Sequence, residues 1–136
     1  MSSSESARMR KIVAVKEDDV ARRFESPDGM VVLVGKSAAD NDTLTFKVAA
    51  QTDFWMHVAG ESGSHVVVRN PDNLESLPRE TLRYAASLAA RYSKAKNAKR
   101  VTVHVARRKD VQKPRGLPAG KVILRRYKSV KVEPHE

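Results

Sequence analysis

The chain has 136 residues, a net charge of +10 and no cysteine. This length suits one compact domain with a core of moderate size. The lack of cysteine excludes disulfides, thiolate zinc sites and cysteine nucleophiles. The longest apolar run, residues 30–34, is too short to span a membrane and the N-terminus lacks a signal-peptide pattern, so we expect a cytoplasmic protein.

The positive charge is concentrated in the last third of the chain. Residues 91–136 contain fifteen Lys or Arg and three acids, a net charge of +12, whereas residues 1–90 carry a net charge of −2. Such asymmetry is typical of proteins that contact a polyanion, and a solvated basic face is the simpler alternative. A membrane surface is disfavoured because the basic third lacks an amphipathic helix with a wide apolar face.

The N-terminal part predicts a tail followed by a hairpin. Residues 1–10 are polar, and we expect a disordered tail there, ahead of a single domain over residues 11–136. The segment Ser-Pro-Asp-Gly at 26–29 is a turn, because proline presets φ and glycine accepts positive φ. It joins predicted strands at 22–25 and 30–34.

The next segment is ambiguous. Residues 35–42 are expected to form a loop, in which Asn41 or Asp42 can cap the next element. Beyond it, Leu44, Phe46 and Val48 alternate as in a strand, while Leu44 and Val48 alone suit a helical turn. Periodicity leaves this piece undecided.

The remainder predicts strands and one helix. The predicted elements are strands at 54–58 and 64–69, a helix at 79–96, a strand at 100–106, a Pro- and Gly-rich loop at 113–120, and strands at 121–126 and 129–132. The helix starts after Pro78, which suits its first turn, and its apolar stripe includes Leu82, Ala85 and Ala89. One long amphipathic helix packed on a largely antiparallel curved sheet gives an α+β fold.

The stretch DFWMHVAGESGSHVVVR, residues 53–69, predicts a second hairpin. A loop at 60–62 and a loop at 59–63 give the same register, in which paired residue numbers sum to 122. Asp53 then faces Arg69 as an opposite-charge pair, Trp55 faces Val67 and His57 faces His65. Phe54, Met56, Val66 and Val68 form the core face, so we expect the face that carries the indole and imidazoles to be the outer one.

The histidines leave three interpretations open. Paired imidazoles at His57 and His65, with His104 as a third ligand, suit zinc, yet no carboxylate stands at a recognisable ligand spacing. Ser64 has no strand-to-helix elbow around it, which argues against a serine nucleophile. Histidines bonded to backbone within a wet sheet face are the plainest interpretation.

Several segments in order resemble one known family, the NFACT-R domain. The matching segments are GKSAADNDTLTFKVA, DFWMHVAGESGSHVVVR, AASLAARYSKAKN, VTVHV and VQKPRGLPAGKV, and the likeness covers residues 24–134. In full-length NFACT proteins, this module follows what looks like an N-terminal glycosylase-related domain, a helix-hairpin-helix and a long coiled coil. They act in ribosome-associated quality control, where they bind the large ribosomal subunit and tRNA and promote tailing of stalled chains.

The resemblance implies an RNA-binding module. Because this chain matches the last part alone, we expect RNA binding, with tRNA or ribosomal RNA and the ribosome as partners, but no tailing activity. Cations would bind phosphates, and Trp55 and His57 would stack on an unpaired base. The predicted RNA-binding residues are Asp53, Trp55, His57, Ser64, His65, Arg69, Arg91, Lys94, Lys96, Arg107, Arg108, Lys113, Arg115 and Lys121.

Other function classes remain as alternatives. One is a metal-dependent hydrolase that uses His57, His65 and His104; another is an interaction module for an acidic protein partner. The leading hypothesis assigns no catalytic residue, metal ligand or cofactor, and the sequence leaves the oligomeric state open. It also requires the cations of the last third to gather on one side of the fold, close to the central hairpin.

Overall fold

The structure is a computed structural model that describes residues 16–134. The predicted disordered tail at 1–10 lies outside the described residues. The elements in chain order are α1 Glu17–Val20, β1 Ala21–Glu25, β2 Val31–Gly35, α2 Ala38–Thr43, a π-helical turn Leu44–Val48, β3 Phe54–Val58, β4 Val66–Val68, α3 Arg79–Arg91, β5 Val101–Arg107, a 3-10 turn Arg108–Asp110, β6 Val111–Gln112, β7 Ile123–Leu124 and β8 Lys128–Val132. None of the described helices is both long and apolar enough to cross a bilayer.

The centre of the fold is a six-stranded sheet in the order β1-β2-β4-β3-β5-β8. Every neighbouring pair in it is antiparallel, and β6 and β7 form a separate two-stranded ribbon. This confirms the α+β class. The helix that packs on the sheet, α3, has 13 residues, so "long" describes it only relative to the other helices.

One face of the sheet packs against α3. The buried residues Met56, Val66 and Val103 meet the small side chains Ala85 and Ala89 of the helix in a single core cluster. Alanine at these positions lets the helix backbone approach the sheet closely, so that β-branched strand residues fill the space between them.

The opposite face is also covered. Trp55 and Val67 of the sheet pack with Leu44 of the π-helical turn, Val20 of α1 and Val111 of β6 in a second buried cluster. The indole of Trp55 is only 1% exposed. The predicted outer face of the central hairpin is therefore wrong: a sheet buried on both faces has no wet side at Trp55.

The covering layer comes from the segment that periodicity left open. The expected loop at 35–42 contains α2, which is capped when the Ser37 hydroxyl accepts a hydrogen bond from the backbone N–H of Asp40. The π-helical turn after it buries Leu44 and Thr45. The strand alternative for this piece is wrong, and a helical turn is present.

Two other boundaries differ from the prediction. The helix ends at Arg91 rather than at residue 96, because the chain turns to meet the hairpin loop: Ser64 N donates to Tyr92 O and Lys94 N donates to Ser62 O, both at 2.9 Å. The strand predicted at 121–126 shrinks to Ile123–Leu124, which pairs with β6 instead of the main sheet.

The register predicted for the second hairpin is confirmed. Trp55 pairs with Val67, and Asp53 Oδ2 lies 3.0 Å from Arg69 Nε. The buried Asp53 carboxylate also accepts backbone hydrogen bonds from Ala50 N at 2.8 Å and Asn70 N at 2.7 Å. One carboxylate thus fixes both chain ends of the hairpin.

We expect Asp53→Ala to lower the free energy of unfolding by about 3 kcal/mol, because it leaves the buried N–H of Asn70, the part-buried N–H of Ala50 and a guanidinium without their acceptor. Urea unfolding followed by circular dichroism measures this. Asp72→Ala, at an exposed loop position, is the control and should change stability by less than about 0.5 kcal/mol. Equal losses in the two variants would contradict the role given to Asp53.

Candidate nucleic-acid interface

A cleft of about 640 Å³ opens at the end of the central hairpin. We call it the histidine cleft. Its walls come from the hairpin loop, from β5 and from the chain beyond the Gly-rich loop. Its lining residues are Trp55, His57, Val58, Gly60, Glu61, Ser62, His65, Lys94, His104, Gly120, Lys121, Val122, Leu124 and Tyr127.

A row of rings runs from the mouth of the cleft to its floor. Tyr127 is 53% exposed at the mouth, and its ring centroid lies 4.6 Å from that of His104. His104 pairs with His57 on the neighbouring strand. His57 stacks on Trp55 with centroids 5.9 Å apart and planes 17° apart. The accessible aromatic surface is thus at Tyr127, not at the indole.

The floor is held by a directed chain of hydrogen bonds. Trp55 Nε1 donates to Thr45 Oγ1 at 3.1 Å, and Thr45 Oγ1 lies 2.8 Å from His65 Nδ1. His65 Nε2 lies 3.0 Å from the carbonyl oxygen of Gly120. A carbonyl can only accept, so Nε2 carries the proton, Nδ1 accepts from the threonine hydroxyl, and that hydroxyl accepts from the indole. His65 is a neutral connector between the core and the Gly-rich loop.

Burial keeps the deeper imidazoles uncharged. Burial, with a smaller effect of the nearby His57, lowers the pKa of His65 to about 4, although the hydrogen bond to Gly120 raises it. Burial also lowers the pKa of His57, against its backbone hydrogen bonds. Near neutral pH these two rings add no charge to the cleft, so its positive potential comes from lysines.

Two of the predicted cations lie at the cleft. Lys94 and Lys121 both line it and both are exposed. Arg91 and Lys96 line a neighbouring hollow, which shares Ser62 and Lys94 with the cleft. The end of α3 and the segment after the Gly-rich loop therefore present four predicted bases to adjoining concave surfaces.

Lys113 has a different position from the one expected. Its Nζ lies 3.1 Å from Asp42 Oδ2 and also donates to the carbonyls of Pro118 and Lys121. Asp42 Oδ1 in turn accepts from Gly120 N at 3.1 Å. Lys113 therefore braces the loop from inside, whereas Arg115 in the same loop is exposed.

The remaining predicted bases do not all face the cleft. Arg107 covers the ring of Phe54, its guanidinium carbon 4.5 Å from the centroid, on the α3 side of the sheet. Arg108 covers Phe46 at 4.6 Å and donates to Thr45 O on the opposite side. The expectation that the cations gather on one side is therefore wrong: this pair lies on opposite sides of the sheet, and Arg126 and Lys128 also line a hollow on the α3 side.

Other predicted residues serve the scaffold. Asp53, Trp55 and His65 are buried, Ser64 Oγ donates to Gly35 O at 2.7 Å, and Arg69 bridges Asp53 and Glu17. A base cannot stack on the enclosed Trp55, so that part of the prediction is wrong. The exposed aromatic ring of the cleft that sequence reasoning missed is Tyr127, and its signal in the sequence is an aromatic residue inside the basic run at 125–128.

The histidines are not arranged as a metal site. Within residues 16–134, no group of three or more His, Asp or Glu side chains is placed to hold a metal ion. Both ring nitrogens of His65 are engaged with Thr45 and Gly120. His65 thus has no lone pair directed into the cleft, which removes one of the three ligands that the hydrolase alternative requires.

The protein is an α+β module with an antiparallel sheet covered on both faces and a basic, partly aromatic cleft, which is the kind of surface found in nucleic-acid-binding proteins. Residues 20–126 match the family described as NFACT protein RNA binding domain, and the chain belongs to that family.

Relatives and a solved structure agree with this assignment. The chain is 38% identical over 115 residues to the Rqc2 homolog RqcH of Bacillus subtilis, covering 85% of this chain and 20% of that protein. It is 40% identical over 116 residues to the RqcH of Streptococcus suis, covering 84% of this chain and 20% of that protein. The structure of the C-terminal of the fibronectin/fibrinogen-binding protein from Streptococcus suis has a TM-score of 0.80 and 36% identity, over 86% of this chain and 46% of that one. The chain thus spans about a fifth of the length of these curated relatives.

The neutral His65 predicts acid sensitivity. The folded pKa of about 4 lies below the ordinary value of 6.5, so the unfolded chain binds the proton more readily. The stabilisation that the neutral His65 gives to the folded state is complete above pH 6.5. It is lost as the pH falls toward 4, which lowers the free energy of unfolding by about 3 kcal/mol.

Urea unfolding at several pH values measures this effect. His65→Gln keeps an N–H donor but cannot titrate, so its free energy of unfolding should fall less steeply between pH 6.5 and 4 than that of the native chain. His57→Gln removes an imidazole that is less buried and whose pKa is also lowered, so this variant should flatten the slope less than His65→Gln does. An unchanged slope in His65→Gln would contradict the neutral state of His65.

Proposed function

We propose that this protein is an RNA-binding module of ribosome quality control, and that it holds an unpaired stretch of tRNA or ribosomal RNA in the histidine cleft. Family membership supports RNA as the ligand. The relatives named Rqc2 homolog RqcH support the link to ribosome quality control. In this role the protein works with ribosomes in the cytoplasm.

The observation that carries the proposal is the composition of the cleft mouth. An exposed tyrosine, packed on His104, stands in the same cleft as the exposed Lys94 and Lys121. An aromatic ring offers a platform to any base, and lysines neutralise the flanking phosphates with release of counterions. His104 supports the tyrosine ring from behind, which limits the conformational entropy that stacking would otherwise cost.

The shape of the cleft favours an unpaired nucleotide over a duplex. Base faces are accessible for stacking only where RNA is single-stranded, in loops, bulges and ends. The row Tyr127, His104 and His57 leads inward from the surface, so a nucleotide in the cleft would meet imidazoles in the same cavity. Neutral imidazole nitrogens can both donate and accept.

The lysines provide the first test. We expect Lys94→Gln/Lys121→Gln to weaken binding to a single-stranded RNA roughly tenfold and to reduce the slope of log affinity against log salt by about one per lysine, since each removes one phosphate contact. Fluorescence anisotropy over a salt series measures both.

The matched control removes the same charge elsewhere. Arg79→Gln/Arg83→Gln changes two exposed residues of α3, which packs on the sheet face away from the cleft. This control should retain affinity close to that of the native protein. Equal weakening by the two double variants would show that net charge alone, rather than the cleft, determines binding.

The tyrosine provides the second test. Tyr127→Ala should weaken RNA binding by about five- to a hundredfold, the range expected for loss of one stacked base, while Tyr127→Phe should bind as the native chain does. Because half of the side chain is exposed, the thermal midpoint should shift little. Native affinity in Tyr127→Ala would place the stacking surface elsewhere.

A further inference from the structure

A second concave surface lies on the other side of the sheet, between α3 and the edge strand β8. This groove has a volume of about 300 Å³. Leu77, Leu82, Val105 and Val130 line it and are only partly buried, although they pack against the main core. A contiguous group of half-buried aliphatic side chains that lines one hollow can mark an interaction site.

The groove runs along an open sheet edge. β8 is the last strand of the six-stranded sheet, and within residues 16–134 its outer edge pairs with no other strand. The unpaired N–H and C=O groups of such an edge accept an added strand. Val130 faces the groove, so an added strand would direct every second side chain into it.

Most of the charges along this edge are positive. Arg126 and Lys128 line the groove, and Lys131 lies further along β8 on its other face; all three are exposed. Glu75 is an acid in the groove lining. Lysines on an edge strand discourage pairing with neutral or basic strands. An acidic strand would instead be attracted by the same lysines, so the charge selects for an acidic partner.

We propose that β8 and this groove bind an acidic, extended segment of a protein, which adds to the sheet as a seventh strand and inserts apolar side chains beside Val130 and Leu82. The groove shares the ring of Tyr127 with the histidine cleft. The rest of its apolar lining favours a peptide over RNA, because the aliphatic residues offer a pocket for Leu or Val side chains and the ring of Phe54 is covered by Arg107. This binding does not depend on the RNA-binding role of the histidine cleft.

The experiment uses a fluorescein-labelled peptide, Glu-Leu-Glu-Val-Glu-Leu-Glu, and the complete chain. We expect saturable anisotropy and amide chemical-shift changes along β8, together with methyl shifts at Leu82, Val105 and Val130. A peptide with serine in place of leucine should bind at least about tenfold more weakly because it buries less apolar surface. No saturable binding up to about 1 mM would overturn the proposal.

Two double variants distinguish this surface from the histidine cleft. Lys128→Glu/Lys131→Glu should weaken the acidic peptide at least about tenfold, strengthen a version with lysine in place of glutamate, and keep a cooperative thermal melt. Lys94→Glu/Lys121→Glu, with the same change in charge, should lose RNA and retain the peptide. Loss of the peptide in the cleft variant, or larger shifts of the groove methyls with oligouridine than with the peptide, would overturn the assignment.

Discussion

Burial of the central sheet on both faces is the constraint on which the rest of the structure depends. It encloses the polar atoms of Trp55 and His65, and enclosed polar atoms must find partners inside the protein. The chain from the indole through Thr45 and His65 to Gly120 O supplies them. Because its last acceptor belongs to the Gly-rich loop, the same chain fixes where that loop ends. The histidine cleft and Lys121 therefore owe their position to this buried network together with the brace that Lys113 provides inside the loop.

The sequence was sufficient for features set by local alternation. The register of the central hairpin and the Asp53–Arg69 pair followed from the two-residue repeat of strands, and both are present. Alternation states which side chains share a face but not whether another element covers that face. Trp55 was misplaced for this reason: its cover includes Leu44 and Val111, which lie in segments whose pattern was ambiguous or whose strands are only two residues long.

The candidate site was predictable in composition and less so in geometry. Lys94 and Lys121 stand near each other because the helix ends where the hairpin loop binds it, whereas Lys113 pairs with Asp42, seventy-one residues away in sequence. A charge that forms an internal brace cannot be told from a free one by counting charges. For Tyr127 the sequence hid an exposed residue instead. The ring is exposed because it lies next to the edge strand β8, and the order of strands in a sheet cannot be read from one segment of sequence.

The sheet itself divides the basic third of the chain into separate surfaces. Side chains of β5 alternate between the histidine cleft, at His104, and the α3 side, at Arg107. Tyr127 stands where the two meet and lines both the cleft and the groove. The net charge of the last third therefore overestimates how many cations are available to RNA. Some of these cations line an apolar groove, and others are paired inside the fold. In the two proposed binding modes, an RNA in the cleft and a peptide in the groove would lie on either side of Tyr127, so this one side chain would contact both ligands.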